Sequence, residues 1–203
     1  MTTTMPGGAG ALILAAGAGS RMGLPKALLE FEGRLLVERA VETALAGGCA
    51  DVTVVLGARA DEVRQRAELG PARVVVNGDW AKGMGSSLRA GLTALTALEF
   101  LDAALVLLVD QPFVGPAAVR AVLDARRDGA RLAAASYRGE RGHPVLFGRE
   151  HWAEASRSAT GDAGARAFLA AHAADLVLVP CDAVADPRDL DTREDLRWRT
   201  RIT

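Results

Sequence analysis

Apolar positions along the chain follow two alternating rhythms. Mostly apolar runs of strand length fall at residues 11–16, 52–56, 73–76, 103–109, 131–136, 143–147 and 175–179. Between them, apolar residues recur at helical spacing over 35–46, 60–69, 87–98, 116–128, 149–156, 163–171 and 193–199. This alternation predicts βαβ units and an α/β fold with a mostly parallel sheet. Near-continuous apolar strands imply a sheet covered by helices on both faces. Gly47-Gly48 stops the first helical stretch, and Pro116 sits where a first-turn proline is tolerated. No repeat, low-complexity tract or linker divides the pattern. One domain over residues 1–203 is expected, with 1–10 a flexible leader.

Composition narrows the possibilities. Half of the 203 residues are hydrophobic, 24% are charged, and the net charge is −1. A nucleic-acid or acidic-membrane partner would ordinarily show a basic excess, so neither is expected. No apolar run approaches bilayer length, and the N-terminal residues lack a signal-peptide pattern; the cytoplasm is the expected compartment. Cys49 and Cys181 stand apart in apolar settings and read as reduced core residues. Basic residues are nearly all arginine. The two lysines, Lys26 and Lys82, both fall in glycine-rich segments.

In open α/β sheets, ligands bind beyond the carboxyl ends of the strands. Four segments after strands carry unusual residues. The first runs from Leu14, Ala15, Ala16 and Gly17 through Gly19, Ser20 and Arg21 to Lys26. Its small residues let backbone N–H groups approach a polyanion, and Arg21 and Lys26 add charge for phosphate oxygens. It is not a Walker A loop, because Lys26 follows Pro25 and precedes Ala27. Nor is it a dinucleotide fingerprint, because Met22 stands at the third glycine position and Leu56-Gly57-Ala58-Arg59 supplies no acid after the second strand.

The second segment, Asn77 to Arg89, opens a helix with Gly83, Met84, Gly85 and Ser86; such a start presents free N–H donors, and Ser86 alone would serve as an N-cap. The third is Asp110-Gln111-Pro112, where an acid closing an apolar strand suits Mg²⁺. The fourth, Asp186 to Asp195, reads by spacing as a turn into the last helix, capped by Thr192 or Asp191. The segments 138–144 and 160–166 read as a turn between strands and a turn or helix start. His143 has no serine or cysteine partner for a triad, and His151 and His172 read as surface helix residues.

Taken together, these segments resemble the MobA-like nucleotidyltransferase family, and within it the molybdenum cofactor cytidylyltransferases. The residues carrying the resemblance are Leu14 to Gly17 with Arg21-Met22-Gly23 and Lys26, then Trp80 with Gly83 to Leu88. Asp110-Gln111-Pro112, Gly142 to Phe147, Gly161 to Arg166 and Asp189 to Thr192 complete it, so it runs from Leu12 to about Leu196. Leu190 departs from the family's usual Ile. The resemblance implies a Rossmann-like sheet with the NTP over the first loop and an acceptor pocket beside it. Ala16 implies CTP, where guanylyl transfer goes with Gly. It also implies triphosphate binding by Arg21 and Lys26, Mg²⁺ held by Asp110 and Asp191, and a base near Asn77 and Gly83 to Ser86. Arg141, Gly142, His143 and Pro144 would face the acceptor. Arg21, Lys26 and Asp110 would be catalytic.

The expected reaction is CMP transfer from CTP to a phosphorylated pterin acceptor, with a molybdoenzyme or its chaperone as client. Rival readings are guanylyl transfer, transfer to another acceptor, an NAD(P)H-dependent oxidoreductase with Arg59 reading a 2′-phosphate, and a non-catalytic molybdopterin carrier.

Overall fold

The computed structural model describes residues 7–192, 194 and 195. Its strands are β1 (Gly8–Ala15), β2 (Glu30–Phe31), β3 (Arg34–Leu35), β4 (Asp51–Leu56), β5 (Arg73–Val76), β6 (Leu101–Leu108), β7 (Leu132–Tyr137), β8 (Glu140–Gly148) and β9 (Leu176–Pro180). Seven of them form one sheet in the order β5-β4-β1-β6-β8-β7-β9, while β2 and β3 make a separate hairpin. Neighbours in the large sheet are parallel except for β8, which runs antiparallel to both β6 and β7. The fold is α/β with a mostly parallel sheet, as the alternating pattern predicts.

The helices are α1 (Leu36–Gly47), α2 (Ala60–Arg66), α3 (Met84–Thr96), α4 (Pro116–Arg127), α5 (Trp152–Ser158) and α6 (Arg166–Ala171). Alternation along β1 explains why both faces need cover. Ala11, Ile13 and Ala15 point into a core with α1, α2 and α4, while Leu12 and Leu14 point into a second core with α3, α5 and α6. Among the described residues no helix is long and apolar enough to cross a membrane.

Several boundaries differ from those expected, each for a physical reason. β1 begins at Gly8, so Gly8 to Gly10 belong to the sheet rather than to a loose leader; residues 1–6 lie outside the described ones. A Cβ at Gly8 would come within 2.5 Å of the Ala50 side chain, and one at Gly10 within 2.6 Å of Leu101. Gly47 continues α1 instead of ending it, because α4 packs so closely that a Cβ there would meet Val119 at 2.2 Å. Gly48, at φ +100°, makes the stop. α2 ends at Arg66, short of residue 69, and the Glu68 amide donates to the buried Glu38 carboxylate at 2.7 Å. α5 follows a single 3-10 turn over Arg149–His151, and α6 starts only after Gly164 at φ +54°. The helix expected at 193–199 lies outside the described residues except for Glu194 and Asp195.

Both cysteines are free and buried. Burial pushes the Cys49 thiol up to about 12 and, with the Asp182 charge, raises that of Cys181 as well. A thiol in such a place reacts slowly, because the thiolate is the nucleophile. Native protein at pH 8 is expected to leave Ellman's reagent unreacted, and unfolded protein to react at both positions. Prompt reaction of the native chain would contradict this packing.

Candidate functional site

Two neighbouring cavities, of about 370 and 430 Å³, open near the carboxyl ends of β1 and β6. The strand order reverses there, since β1 has β4 on one side and β6 on the other. Leu14, Met84, Leu108 and Asp162 line both cavities.

The first loop is shaped by its own packing. Met22 is buried and anchors the loop, and its amide and that of Gly23 both donate to the Gly19 carbonyl at 2.9 Å. Gly19 has φ +62°, and a Cβ there would collide with the Leu24 carbonyl. Lys26 opens a 3-10 turn whose next residues, Ala27 and Leu28, are buried. Its ammonium donates to Asp110 Oδ2 at 2.7 Å and to Asp191 Oδ1 at 2.6 Å. Burial alone would lower the Lys26 pKa; the two carboxylates outweigh it and hold it above the ordinary lysine value.

Asp191 reaches this place because its segment is laced to the end of β6. The Leu190 amide donates to the Asp110 carbonyl at 2.9 Å, and the Leu190 side chain is fully buried. Gln111 Nε2 donates to the Pro187 carbonyl at 3.0 Å and to Asp189 Oδ1 at 2.8 Å. Thr192 and Asp195 cap reciprocally: the Thr192 hydroxyl, a cap the spacing predicts, accepts from the Asp195 amide, and the Asp195 carboxylate accepts from the Asp191 and Thr192 amides. That leaves the Asp191 carboxylate turned to Lys26. Arg21 lies 3.7 Å from the other Asp191 oxygen but is largely exposed.

Asp110 and Asp191 both touch one ammonium, so their oxygens lie close enough to share a cation. Among the described residues no cluster of three or more His, Cys, Asp or Glu joins them. Two carboxylates and open space fit Mg²⁺, which is commonly held by one or two carboxylates plus substrate phosphates.

Of the residues expected at the nucleotide, Leu14, Ala15, Ala16, Gly17, Gly19, Lys26, Gly83 and Met84 line the smaller cavity, as does Asp110, expected at the metal. Ser20, Arg21, Asn77, Gly85 and Ser86 do not. Asn77 and Ser86 are buried in an internal network: Asn77 Nδ2 donates to the Ser86 and Ser87 hydroxyls at 2.8 and 3.0 Å. Ser86 is not the cap of α3, because the helix starts at Met84 with Gly83 at the cap position. Trp80 and Ser87 line the cavity instead. Trp80 can approach the first loop because Gly57 has no side chain; a Cβ there would lie 2.4 Å from that of Trp80 and 2.7 Å from the Ala16 carbonyl.

Arg141, Gly142 and His143 line the larger cavity, together with Gln111, Asp162, Arg166 and Asp189, to which the sequence motifs assign no role. Arg141, Gly142 and His143 lie in strand β8 rather than in a turn, since the turn is only Arg138-Gly139, both at positive φ. Pro144 is buried away from this cavity. Tyr137 Oη donates to the His143 carbonyl at 2.8 Å. Burial, opposed by Asp110 and aided by Arg141, pushes the His143 imidazole down to about 4. Burial and the Asp110 charge raise the Asp189 carboxyl.

Residues 11–177 match the family model described as the MobA-like NTP transferase domain. The chain is 43% identical over 193 residues to nicotine blue oxidoreductase of Paenarthrobacter nicotinovorans, covering 91% of this chain and 93% of the relative. It is 31% identical over 140 residues to molybdenum cofactor cytidylyltransferase of Escherichia coli K12, covering 68% and 69% respectively. The crystal structure of Rv0371c from Mycobacterium tuberculosis H37Rv is similar at a TM-score of 0.83, with 27% identity over 96% of this chain and 97% of that one. Its complex with manganese gives a TM-score of 0.78, with 26% identity over 94% and 96%.

Leu190→Ala is expected to cost about 2–5 kcal/mol, typical of an emptied core site, and to loosen Asp191 from Lys26. A loss in denaturant titration below about 1 kcal/mol would contradict the anchoring role. Unfolded His143 takes up a proton near pH 6.5, and the folded group only near pH 4. The unfolded chain therefore binds more protons within that window, and stability falls as pH drops through it. His143→Gln should flatten that part of the stability curve; an unchanged slope would contradict an imidazole held neutral by the fold.

Proposed function

Because the chain belongs to the MobA-like NTP transferase family, we propose that it is a cytoplasmic, Mg²⁺-dependent cytidylyltransferase. It moves CMP from CTP to a phosphorylated acceptor, molybdopterin or the molybdenum cofactor, and releases pyrophosphate. One observation carries the reading: Lys26 and the two carboxylates it joins stand beside a small-residue loop at the switch point of the sheet. Ala16 and the similarity to the E. coli cytidylyltransferase support CTP as donor. The manganese complex of a similar structure supports a divalent metal.

In this reading the acceptor phosphate, already ionised near neutral pH, attacks the α-phosphorus of CTP in line. The new P–O bond forms as the bond to the leaving pyrophosphate breaks, and no general base is required. The backbone of Ala15 to Gly19 cradles the phosphates. Lys26 offsets charge on the leaving group and Arg21, at the mouth, does so from solvent. Mg²⁺ held by Asp110 and Asp191 would neutralise charge on phosphate oxygens. Met84 and Trp80 border the nucleotide side, and Arg141, Gly142 and His143 the acceptor side. Asn77, Gly85 and Ser86 hold the α3 loop in place rather than touching the base.

A second reading is favoured by one observation: the relative named nicotine blue oxidoreductase matches nearly the whole chain. In it the smaller cavity takes a nicotinamide dinucleotide and the larger one an oxidised flat substrate that receives hydride.

A thermal-shift panel with CTP, GTP, ATP, UTP and NADPH, each with and without Mg²⁺, separates the two. A ligand at about 100 times its dissociation constant adds about 2.7 kcal/mol, roughly 5–10 °C for a domain of this size. The expected result is a rise with CTP that needs Mg²⁺ and shrinks in Asp110→Ala. A rise with NADPH alone would replace transfer by hydride chemistry. Lys26→Ala is expected to lose at least about 100-fold in turnover while keeping its fold; a near wild-type rate would remove Lys26 from the site.

A further inference from the structure

The wall between the two cavities is a turn, Thr160 to Arg166, seated on the start of α3. Its seat is made of glycines. A Cβ on Gly83 would lie 2.5 Å from the Gly161 carbonyl carbon and 2.6 Å from Asp162 Oδ1. One on Gly85 would lie 2.7 Å from the Thr160 amide nitrogen. Thr160 and Gly164 close the turn as an antiparallel bridge, and Arg89 donates to the Ala159 carbonyl just before it. The glycines at the start of α3 thus serve contact with this turn, and the turn's placement is fixed by backbone packing.

What the turn carries is charged. Asp162 is the one polar side chain among the four that line both cavities. Arg166 lines the larger cavity, as does Arg141 from β8. Among the described residues, the side chains of Arg141, Asp162 and Arg166 make no hydrogen bond or ion pair with one another or with the rest of the protein. The floor beneath them is apolar, with Leu88, Val106, Val145, Phe147 and Leu169.

We propose that the turn is the specificity element for the acceptor: Arg166 and Arg141 bind its anionic group, and Asp162 accepts a hydrogen bond from an N–H or O–H beside that group. The inference rests on the reading of the larger cavity as the acceptor side. Two guanidiniums with free donors suit a phosphate monoester. The apolar floor suits a flat ring system. A carboxylate at the junction repels a second anion and accepts from a donor, so it selects by attraction and by exclusion together. The ligand class is a phosphate monoester on a flat, mostly apolar body with a hydrogen-bond donor close to the phosphate.

The test is calorimetric titration of wild type, Arg166→Gln and Asp162→Asn with pyridoxamine 5′-phosphate and with phenyl phosphate. The first probe is a flat phosphate monoester with donors; the second lacks them. Wild type is expected to prefer the first, Arg166→Gln to weaken both by about tenfold, and Asp162→Asn to abolish the preference. CTP binding with Mg²⁺ should stay within about twofold in Arg166→Gln, whose side chain lines the larger cavity alone, which a merely structural collapse of the turn would not allow. Absence of binding by wild type, an unchanged affinity in Arg166→Gln, or a retained preference in Asp162→Asn would each overturn the proposal. Failure of wild type to bind CTP would overturn cytidylyl transfer instead and leave the result on the acceptor side standing.

Discussion

Lys26 is joined to two carboxylates that stand 84 and 165 residues further along the chain. Three separate parts of the fold must be in place for this cluster to exist: the loop after β1, the end of β6, and the acidic segment near the C-terminus. A partly buried ammonium needs such partners, and two carboxylates this close need a cation between them. Neither half is comfortable without the other. The energetic demand is met by apolar and backbone contacts: the buried Leu190 side chain and its amide bond to the Asp110 carbonyl set Asp191 against the strand end. The charge cluster is thus supported by a hydrophobic peg.

The cavities next to the cluster depend on a second constraint, close approach of backbone to backbone. Gly57 lets both Trp80 and the Ala16 carbonyl come close to its own backbone, and Gly83 and Gly85 let the 160–166 turn settle on α3. In each pair a methyl group would force a wall of the site outward. The site is consequently shaped by where side chains are missing, while its chemistry comes from the few charged groups that project into the space left.

The sheet was readable from sequence because a doubly covered strand leaves an apolar run that little else produces; β5 at Arg73–Val76 matches its expected bounds. Lys26, Asp110 and the first-loop glycines were readable because charge and small residues at strand ends have few structural uses. Glycine is harder to read, because it signals close approach but not of what: Gly83 lines the smaller cavity and, like Gly85, also packs against the 160–166 turn. Buried polar residues are as ambiguous in sequence: Asn77 and Ser86 bond to each other inside the loop. Trp80, Asp162 and Arg166 stood in segments noted for their resemblance, yet only the fold brings them to cavity walls. The hairpin of β2 and β3 was missed because two-residue strands leave no periodicity, although Glu32-Gly33, both at positive φ, mark its turn.

The similarity to a protein named for oxidoreduction and to another named for cytidylyl transfer makes the fate of the α-phosphorus the deciding question. One architecture serves several chemistries, so the reaction must be read from the atoms that move. The most direct measurement uses CTP radiolabelled at the α-phosphorus, with Mg²⁺ and molybdopterin, followed by separation of the products. The account predicts label in the acceptor product and unlabelled pyrophosphate in equal amount. Label that stays in CTP, while the same protein oxidises NADPH, would contradict it.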